Sequence, residues 1–401
     1  MRIVWSLPVR GETLTSARGD LVRARALIAA LRAAGHKVLV VEDGATPAAR
    51  GRVRAYRSIV KRVLPSLAAR TLRDLFRIPH GRAHARRVAA VARAHDADLI
   101  VETQVHFSDS GAIAARLTGL PLILDDCSPV TEEATLGCAL PTLARRAFDT
   151  QVACASAIVV PSHVLAECLA AGGVPRALLR VVPNGVDIEA YDANGARTRE
   201  RHGNERITLV FAGSFQPWHR AEMLLEAVQL LADPRLQLLL LGDGPGRPTA
   251  LSTARRLGLN SRLAAPGALP PAMLAGALTH CDIGVLPASN EYGHPMKLLD
   301  YAAARLAIIA PDLAPVREVL RHGETGLLFR PGDVTDLAAR IHVLAADAEL
   351  RARLGAAARL QIAETGSWQV RARALVEDAR VPGARPSPSP ERESLVVSAS
   401  C

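Results

Sequence analysis

Two residues able to handle a charged ligand, Lys297 and Asp300, stand three apart in the stretch Glu291-Tyr-Gly-His-Pro-Met-Lys-Leu-Leu-Asp-Tyr301. An apolar run, 282–287, precedes the stretch and another, 306–310, follows it, so it reads as strand, loop, helix and strand. Pro295 falls near the first helical position, where its missing N–H costs nothing. The outward N–H groups and positive dipole end of such a helix start suit a phosphate. Lys297 in that first turn is unfavourable for the dipole unless an anion is bound nearby. Asp300 lies one turn deeper on roughly the same face. A Lys for phosphate and a carboxylate for sugar hydroxyls sketch a nucleotide-sugar site. An ordinary helix with a Lys and an Asp on its solvated side fits the same letters.

Other polar groups follow apolar runs in the same way. Gly213-Ser-Phe-Gln-Pro-Trp-His219 opens a helix after a strand. Gly213 allows close backbone approach, and Ser214 and His219 could meet an anion; a tight turn around Trp218 is the plainer alternative. Gly242-Asp-Gly-Pro-Gly246 invites a dinucleotide reading, but the third glycine position is Arg247 and no acid stands about 20 residues on, so no such site is expected. Glu102, His106 and Asp109 cluster after another strand and form a candidate acceptor-side mouth. Asp125 and Asp126 end the next strand, and Gly19, between Arg18 and Asp20, follows the first one, where a flexible loop could meet a diphosphate. Pro183-Asn-Gly-Val-Asp187 reads locally as a turn between domains.

The elements that must position these groups alternate throughout. Strand-length apolar runs and helix-length amphipathic runs predict an α/β protein of two doubly wound, mainly parallel units facing across a cleft. The first is expected over 1–188 and the second over 189–363, with a polar, Gly- and Arg-rich linker at 190–206 and a final helix near 364–380. Long helices are expected at Glu132–Ala155 and Trp218–Leu231. The tail 381–401 has the Pro- and Ser-rich composition of a disordered end. With 401 residues and 49% apolar content, two cores can be built. No run approaches the roughly 20 apolar residues of a membrane helix, and the N-terminus runs straight into a strand-like segment, so a cytoplasmic protein is expected. The six cysteines form no C-x-x-C pair and no metal set, so neither disulfides nor a metal are expected.

The Ala- and Arg-rich composition has the look of a high-GC bacterial genome, so the net charge of +10 by itself assigns no partner. Its sharpest local feature is residues 50–93, where thirteen Lys and Arg residues are opposed only by Asp74. Interleaved apolar residues make this an amphipathic basic segment suited to peripheral contact with anionic lipid at the inner face of a membrane. A solvated Arg-rich face is the plainer alternative. Aromatic platforms and zinc motifs are lacking, so no nucleic-acid partner is expected.

The order of motifs carries more than any one of them. Gly35-His-Lys-Val, Pro183-Asn-Gly-Val-Asp, Gly213-Ser-Phe, Gly242-Asp-Gly-Pro and the Pro-x-Lys-Leu-x-acid-Tyr helix occur in one chain, which over residues 1–380 resembles family 4 of the retaining, GT-B glycosyltransferases. The resemblance implies sugar transfer from a nucleotide-diphosphate sugar to a hydroxyl acceptor (a polysaccharide, glycolipid or natural product), with no cofactor and no required metal. It places Lys297, Met296 and Leu298 at the diphosphate and Asp300 at the ribose hydroxyls. His219 stands where such enzymes usually carry a Lys, Ser214 where they often carry an Arg, and His106 would correspond to a catalytic His near the sugar. The first acid of the family's E-x7-E pair would fall on Tyr292, with Glu291 one residue out of register; the usual helix-ending Gly is Arg305 and the usual Pro before the next strand is Ala307. The alternative these departures allow is a GT-B protein that binds a nucleotide or a partner glycosyltransferase without efficient transfer.

Overall fold

The computed structural model describes residues 1–9, 12–16, 18–43, 66–75, 77–129, 138–195 and 206–377. Residues 50–65 of the basic region 50–93, the second half of the expected linker and the expected disordered tail 381–401 lie outside the described residues.

Twelve strands among the described residues form two six-stranded parallel sheets. The first contains β1 (Arg2–Leu7), β2 (Lys37–Glu42), β3 (Leu99–Thr103), β4 (Leu122–Asp125), β5 (Ala157–Val160) and β6 (Leu179–Val181), ordered β2-β1-β3-β4-β5-β6. The second contains β7 (Ile207–Ala212), β8 (Leu236–Leu241), β9 (Leu263–Gly267), β10 (Ile283–Val285), β11 (Ala307–Pro311) and β12 (Leu327–Phe329), ordered β12-β11-β10-β7-β8-β9. Register runs in step, with Arg2 to Leu7 opposite Lys37 to Glu42 and Ile207 to Ala212 opposite Leu236 to Leu241. Helices cover both faces of each sheet, so the central strands read as nearly unbroken apolar runs; every residue of β3 and of β11 is buried. Each sheet is thus sandwiched between two apolar clusters. This is the two-unit α/β architecture of the GT-B fold.

Chain order reverses at one seam in each sheet. In the first it lies between β1 and β3, and in the second between β7 and β10. Loops leaving the carboxyl ends of strands on either side of such a seam diverge and leave a crevice, which is where open α/β sheets hold ligands. The loops after β7 and β10 contain Gly213–His219 and Glu291–Pro295, and those after β1 and β3 contain the segment before Gly19 and residues 104–109.

The chain passes between the sheets at 183–188 and again at 366–368, and the two passages touch: the Val186 N–H donates to Gly366 O at 2.8 Å. A Cβ on Gly185 would lie 2.9 Å from the Trp368 ring, so only glycine fits beneath it. The helix Trp368–Glu377 then adds Ala372, Leu375 and Val376 to the core of the first sheet.

Three expected elements differ. Residues 190–195 of the expected linker belong to a helix, Ile188–Gly195. The long helix expected from Glu132 begins, among described residues, at Pro141 and ends at Val152. The one expected from Trp218 begins at Glu222, because Arg220 takes a left-handed conformation (φ 44°) after the short turn Pro217–His219 and breaks the run. No helix among the described residues is long and apolar enough to cross a membrane.

Candidate functional site at the second sheet's reversal

The helix Met296–Ala303 starts just beyond β10 with Pro295 at its N-cap and no side-chain cap. Leu298, Leu299, Tyr301, Ala302 and Ala303 are buried, which anchors one face and leaves half-buried Lys297 and Asp300 toward the crevice. Tyr301 staples the seam: its hydroxyl accepts from the Ala212 N–H at 2.9 Å and donates to Val285 O at 3.4 Å, joining the ends of β7 and β10. Its ring needs Gly284, where a Cβ would approach to 2.5 Å.

Lys297 lies across the loop after β7. A Cβ on Gly213 would sit 2.9 Å from Lys297 Cε, and Lys297 Nζ is 3.0 Å from His219 Nε2. His219 Nδ1 accepts from the Gln216 N–H at 3.2 Å, which locks the ring into the turn, and the Phe211 ring supports it edge-on. A neutral imidazole whose Nδ1 accepts carries its proton on Nε2, so two donors face each other unless Lys297 gives up a proton. Burial drives both groups toward neutrality: Lys297 falls to about 8, and His219 to about 3, where the charge on Lys297 adds to the effect. Burial raises Asp300 to about 6 against the opposing pull of Tyr191 and Lys297. The Tyr191 hydroxyl, from the helix Ile188–Gly195, donates to Asp300 Oδ1 at 2.8 Å.

The remaining donor-side residues have different placements. Ser214 is half-buried, and the glycine turn after β8 closes on it: a Cβ on Gly244 would strike Ser214 O and one on Gly242 would strike Gly213 O. Those glycines shape the loop wall. Leu298 is fully buried and its N–H already bonds Pro295 O at 3.1 Å, so its side chain serves the core. Glu291 is exposed on the loop. Tyr292, at the E-x7-E position, is half-buried, packs against the first sheet's cluster, and accepts through its carbonyl from the Ser162 hydroxyl.

On the first sheet's side, Gly19 opens its helix within reach of the site, since a Cβ there would lie 3.6 Å from Met296 Cε. Glu102, in contrast, does not join His106 and Asp109 at an open mouth. It is fully buried, and its carboxylate accepts from Ser6 Oγ and Ser110 Oγ at 2.7 Å each and from the Gln151 amide. Ser6 in turn meets His84 Nε2 at 2.9 Å. His106 and Asp109 are half-buried in the loop after β3, with Asp109 against Gly81.

Two features lay beyond the sequence reading. Tyr191 is one; its only sequence sign is a lone aromatic, among four tyrosines in the chain, just after Asn-Gly-Val-Asp. The other is a buried bridge between the sheets: Arg23 Nε donates to Asp125 Oδ1 at 2.8 Å, Arg23 Nη1 to Asn184 Oδ1 at 2.9 Å, and Asn184 Nδ2 to His294 O at 2.7 Å. Asn184 is therefore a tie between the halves as well as a turn residue. Across the same junction, Glu318 accepts from the His163 and Val164 N–H groups at 3.0 Å each, closing the N-terminus of the helix His163–Ala171.

Comparison with known proteins agrees with the two-unit fold. Residues 21–190 match the family described as Glycosyltransferase Family 4, and residues 206–347 match Glycosyl transferases group 1. A D-inositol 3-phosphate glycosyltransferase of Geodermatophilus obscurus is 33% identical over 217 residues, covering 49% of this chain and 46% of that protein. A phosphatidyl-myo-inositol mannosyltransferase of Mycobacterium tuberculosis is 31% identical over 161 residues, covering 39% and 41%. These matches span less than half the length of each relative. Among solved structures, HepE of Anabaena in complex with UDP superposes over 94% of this chain and 99% of its own with a TM-score of 0.71 at 18% identity. Sucrose-phosphate synthase of Thermosynechococcus elongatus gives 0.71 over 94% and 98%, also at 18%.

Proposed function

Because this chain belongs to the family 4 glycosyltransferases of GT-B fold, we propose that it transfers a sugar from a nucleotide-diphosphate sugar to a hydroxyl acceptor with retention of configuration. The observation that carries this is the Lys297–His219 contact at a helix start on the seam of the second sheet. Two donors facing each other are poorly satisfied by one another and well satisfied by a group rich in acceptor oxygens. A diphosphate is such a group, and its negative charge grows as the sugar leaves. Fixed donors aimed at that charge are the largest catalytic term available to such a site. Lys297 supplies the cation, His219 an Nε2–H, and the helix start its dipole. Met296, Gly213 and Ser214 line the approach, and Asp300 meets a sugar hydroxyl. The reading requires no metal, so chelation by EDTA leaves transfer unchanged.

In this reading the acceptor enters from the first sheet's side, past Gly19 and the loop carrying His106 and Asp109, and His106 takes the role of the His near the reacting sugar. A lipid-linked hydroxyl suits the basic region 50–93, whose cations would hold an anionic membrane surface. It also suits the mannosyltransferase relative, whose name specifies phosphatidyl-myo-inositol. Thermal-shift and calorimetric titration with UDP, GDP, ADP and TDP, followed by transfer assays with the matching labelled nucleotide sugars, test the proposal. Lys297→Ala is expected to weaken nucleotide binding on the order of 100-fold, the scale of a lost charge-assisted contact to phosphate. Equal binding and transfer by both proteins would remove Lys297 from the mechanism. Binding without transfer on a broad acceptor panel would favour the reading as a nucleotide-binding GT-B protein that does not transfer.

A further inference from the structure

Resting on the donor-site reading above, we propose that Tyr191 is a positioning residue: it clamps one oxygen of the Asp300 carboxylate so that the other is presented to a single hydroxyl of the bound nucleotide sugar. A half-buried Asp on a helix surface can turn about two torsions and present either oxygen. Here Oδ1 is fixed by the phenol at 2.8 Å, while Oδ2 has no hydrogen-bond partner among the described residues.

The clamp is rigid. Tyr191 is 5% exposed and packs in one cluster with Val186, Leu298, Leu299 and Tyr301. The next residue, Asp192, is held on both oxygens by Arg359 at 2.6 and 2.7 Å. A phenol loses little freedom when ordered, having two torsions. Its own ionisation is pushed far up by burial and by Asp300, so it stays a donor across the physiological range. The charged and titratable groups around the pair are Lys297 on the same helix, Asp187 and Tyr301 beside the phenol, and His219 beyond Lys297.

A carboxylate free to turn can face two adjacent hydroxyls with both oxygens; with Oδ1 bonded to the phenol, the orientation of Asp300 is set and Oδ2 is the oxygen left toward the ligand. The bond also favours the ionised carboxylate, opposing the rise that burial imposes. Removing the phenol oxygen therefore has two separable effects. It frees the side chain to turn, and it moves the ionisation of Asp300 to higher pH.

The test is calorimetric titration of the full chain with UDP, GDP and ADP between pH 5 and 8, for wild type, Tyr191→Phe, Asp300→Asn and the double variant. Tyr191→Phe keeps the ring and its packing. It is expected to weaken binding about five- to tenfold near pH 6, with a smaller loss at pH 8, as the acid limb moves up by about one unit. In the Asp300→Asn background the Tyr191→Phe change has no further effect. The proposal is overturned if Tyr191→Phe binds with wild-type affinity and pH dependence, or if its loss is the same with and without the Asp300 carboxylate. If wild type binds none of the three while carbon-13 NMR shows the Asp300 carboxyl titrating higher in Tyr191→Phe, the donor-site reading has failed. The presented hydroxyl falls with it, and the Tyr–Asp bond alone remains.

Discussion

Both sheets gather polar side chains at the carboxyl ends of the strands flanking their reversal, and they treat them in opposite ways. In the first sheet Glu102 takes bonds from Ser6, Ser110 and Gln151, and Arg23 is shared between Asp125 and Asn184, all of them buried. In the second sheet Lys297 meets a histidine that is also a donor, and Asp300 has one oxygen occupied. The Glu102 arrangement is complete without a ligand and stabilises the fold, while the Arg23 bridge leaves Arg23 Nη2 and Asp125 Oδ2 buried without a partner. The second sheet's arrangement is left incomplete and suits binding. Distance from a strand end does not separate Glu102 from Asp300; the count of partners on the carboxylate does, three bonds against one.

That contrast can be broken experimentally, beginning with its most stable member. Arg23→Ala leaves Asp125 buried without its cation and strips Asn184 of a donor, and is expected to cost about 3–5 kcal/mol of unfolding free energy. Urea denaturation checks this, and a loss under about 1 kcal/mol would mean the bridge is not structural. Lys297→Met serves as the opposite control, with stability held or raised while nucleotide affinity falls.

The pH behaviour of Asp300 sharpens the comparison. Its carboxyl ionises near 6 in the folded protein against an ordinary 3.8, so between those values the folded state binds more protons than the unfolded one. Stability therefore falls as pH rises through that window and stays reduced above it. Asp300→Asn is expected to raise unfolding free energy by about 1 kcal/mol at pH 7.5, after discounting for partial exposure, with the gain gone at pH 4. Paired thermal melts at the two pH values read this directly, and a gain independent of pH would refute the ionisation argument.

The smallest effect concerns Arg305. It ends the site helix in a left-handed conformation (φ 57°), and Gly355 packs so closely that a Cβ there would lie 2.2 Å from Arg305 O. Its side chain is exposed at the far end of the helix from Lys297. The departure from the family's glycine thus strains the backbone without touching the site. Arg305→Gly should add about 0.5–1 kcal/mol with nucleotide affinity unchanged, measurable by denaturant midpoint and calorimetry.

How much of this is legible in the sequence depends on the range of the interaction. Buried parallel strands such as Leu236–Leu241 announce themselves as apolar runs, and the order of loop motifs points to Gly213, His219 and Lys297 together, 78 residues apart though the last two are. Strand order and partners do not appear in a local pattern. Glu102 looks like a cleft carboxylate because it follows an apolar run, yet its partners come from residues 6, 110 and 151. Tyr191 sits in a polar stretch that reads as linker, and its partner lies 109 residues on. Arg23 reaches across 102 and 161 residues. Composition reports which residues avoid water; it does not report which distant group each polar atom satisfies.

The paired passages at Val186 and Ser367 have a mechanical consequence. Two covalent tethers lying side by side, bonded to each other and capped by Trp368 over Gly185, resist sliding and axial twist far more than bending. Relative motion of the halves is thereby reduced toward a single rotation, like a door on two adjacent pins. Gly19 and Met296, which meet across the cleft, lie on opposite sides of that rotation.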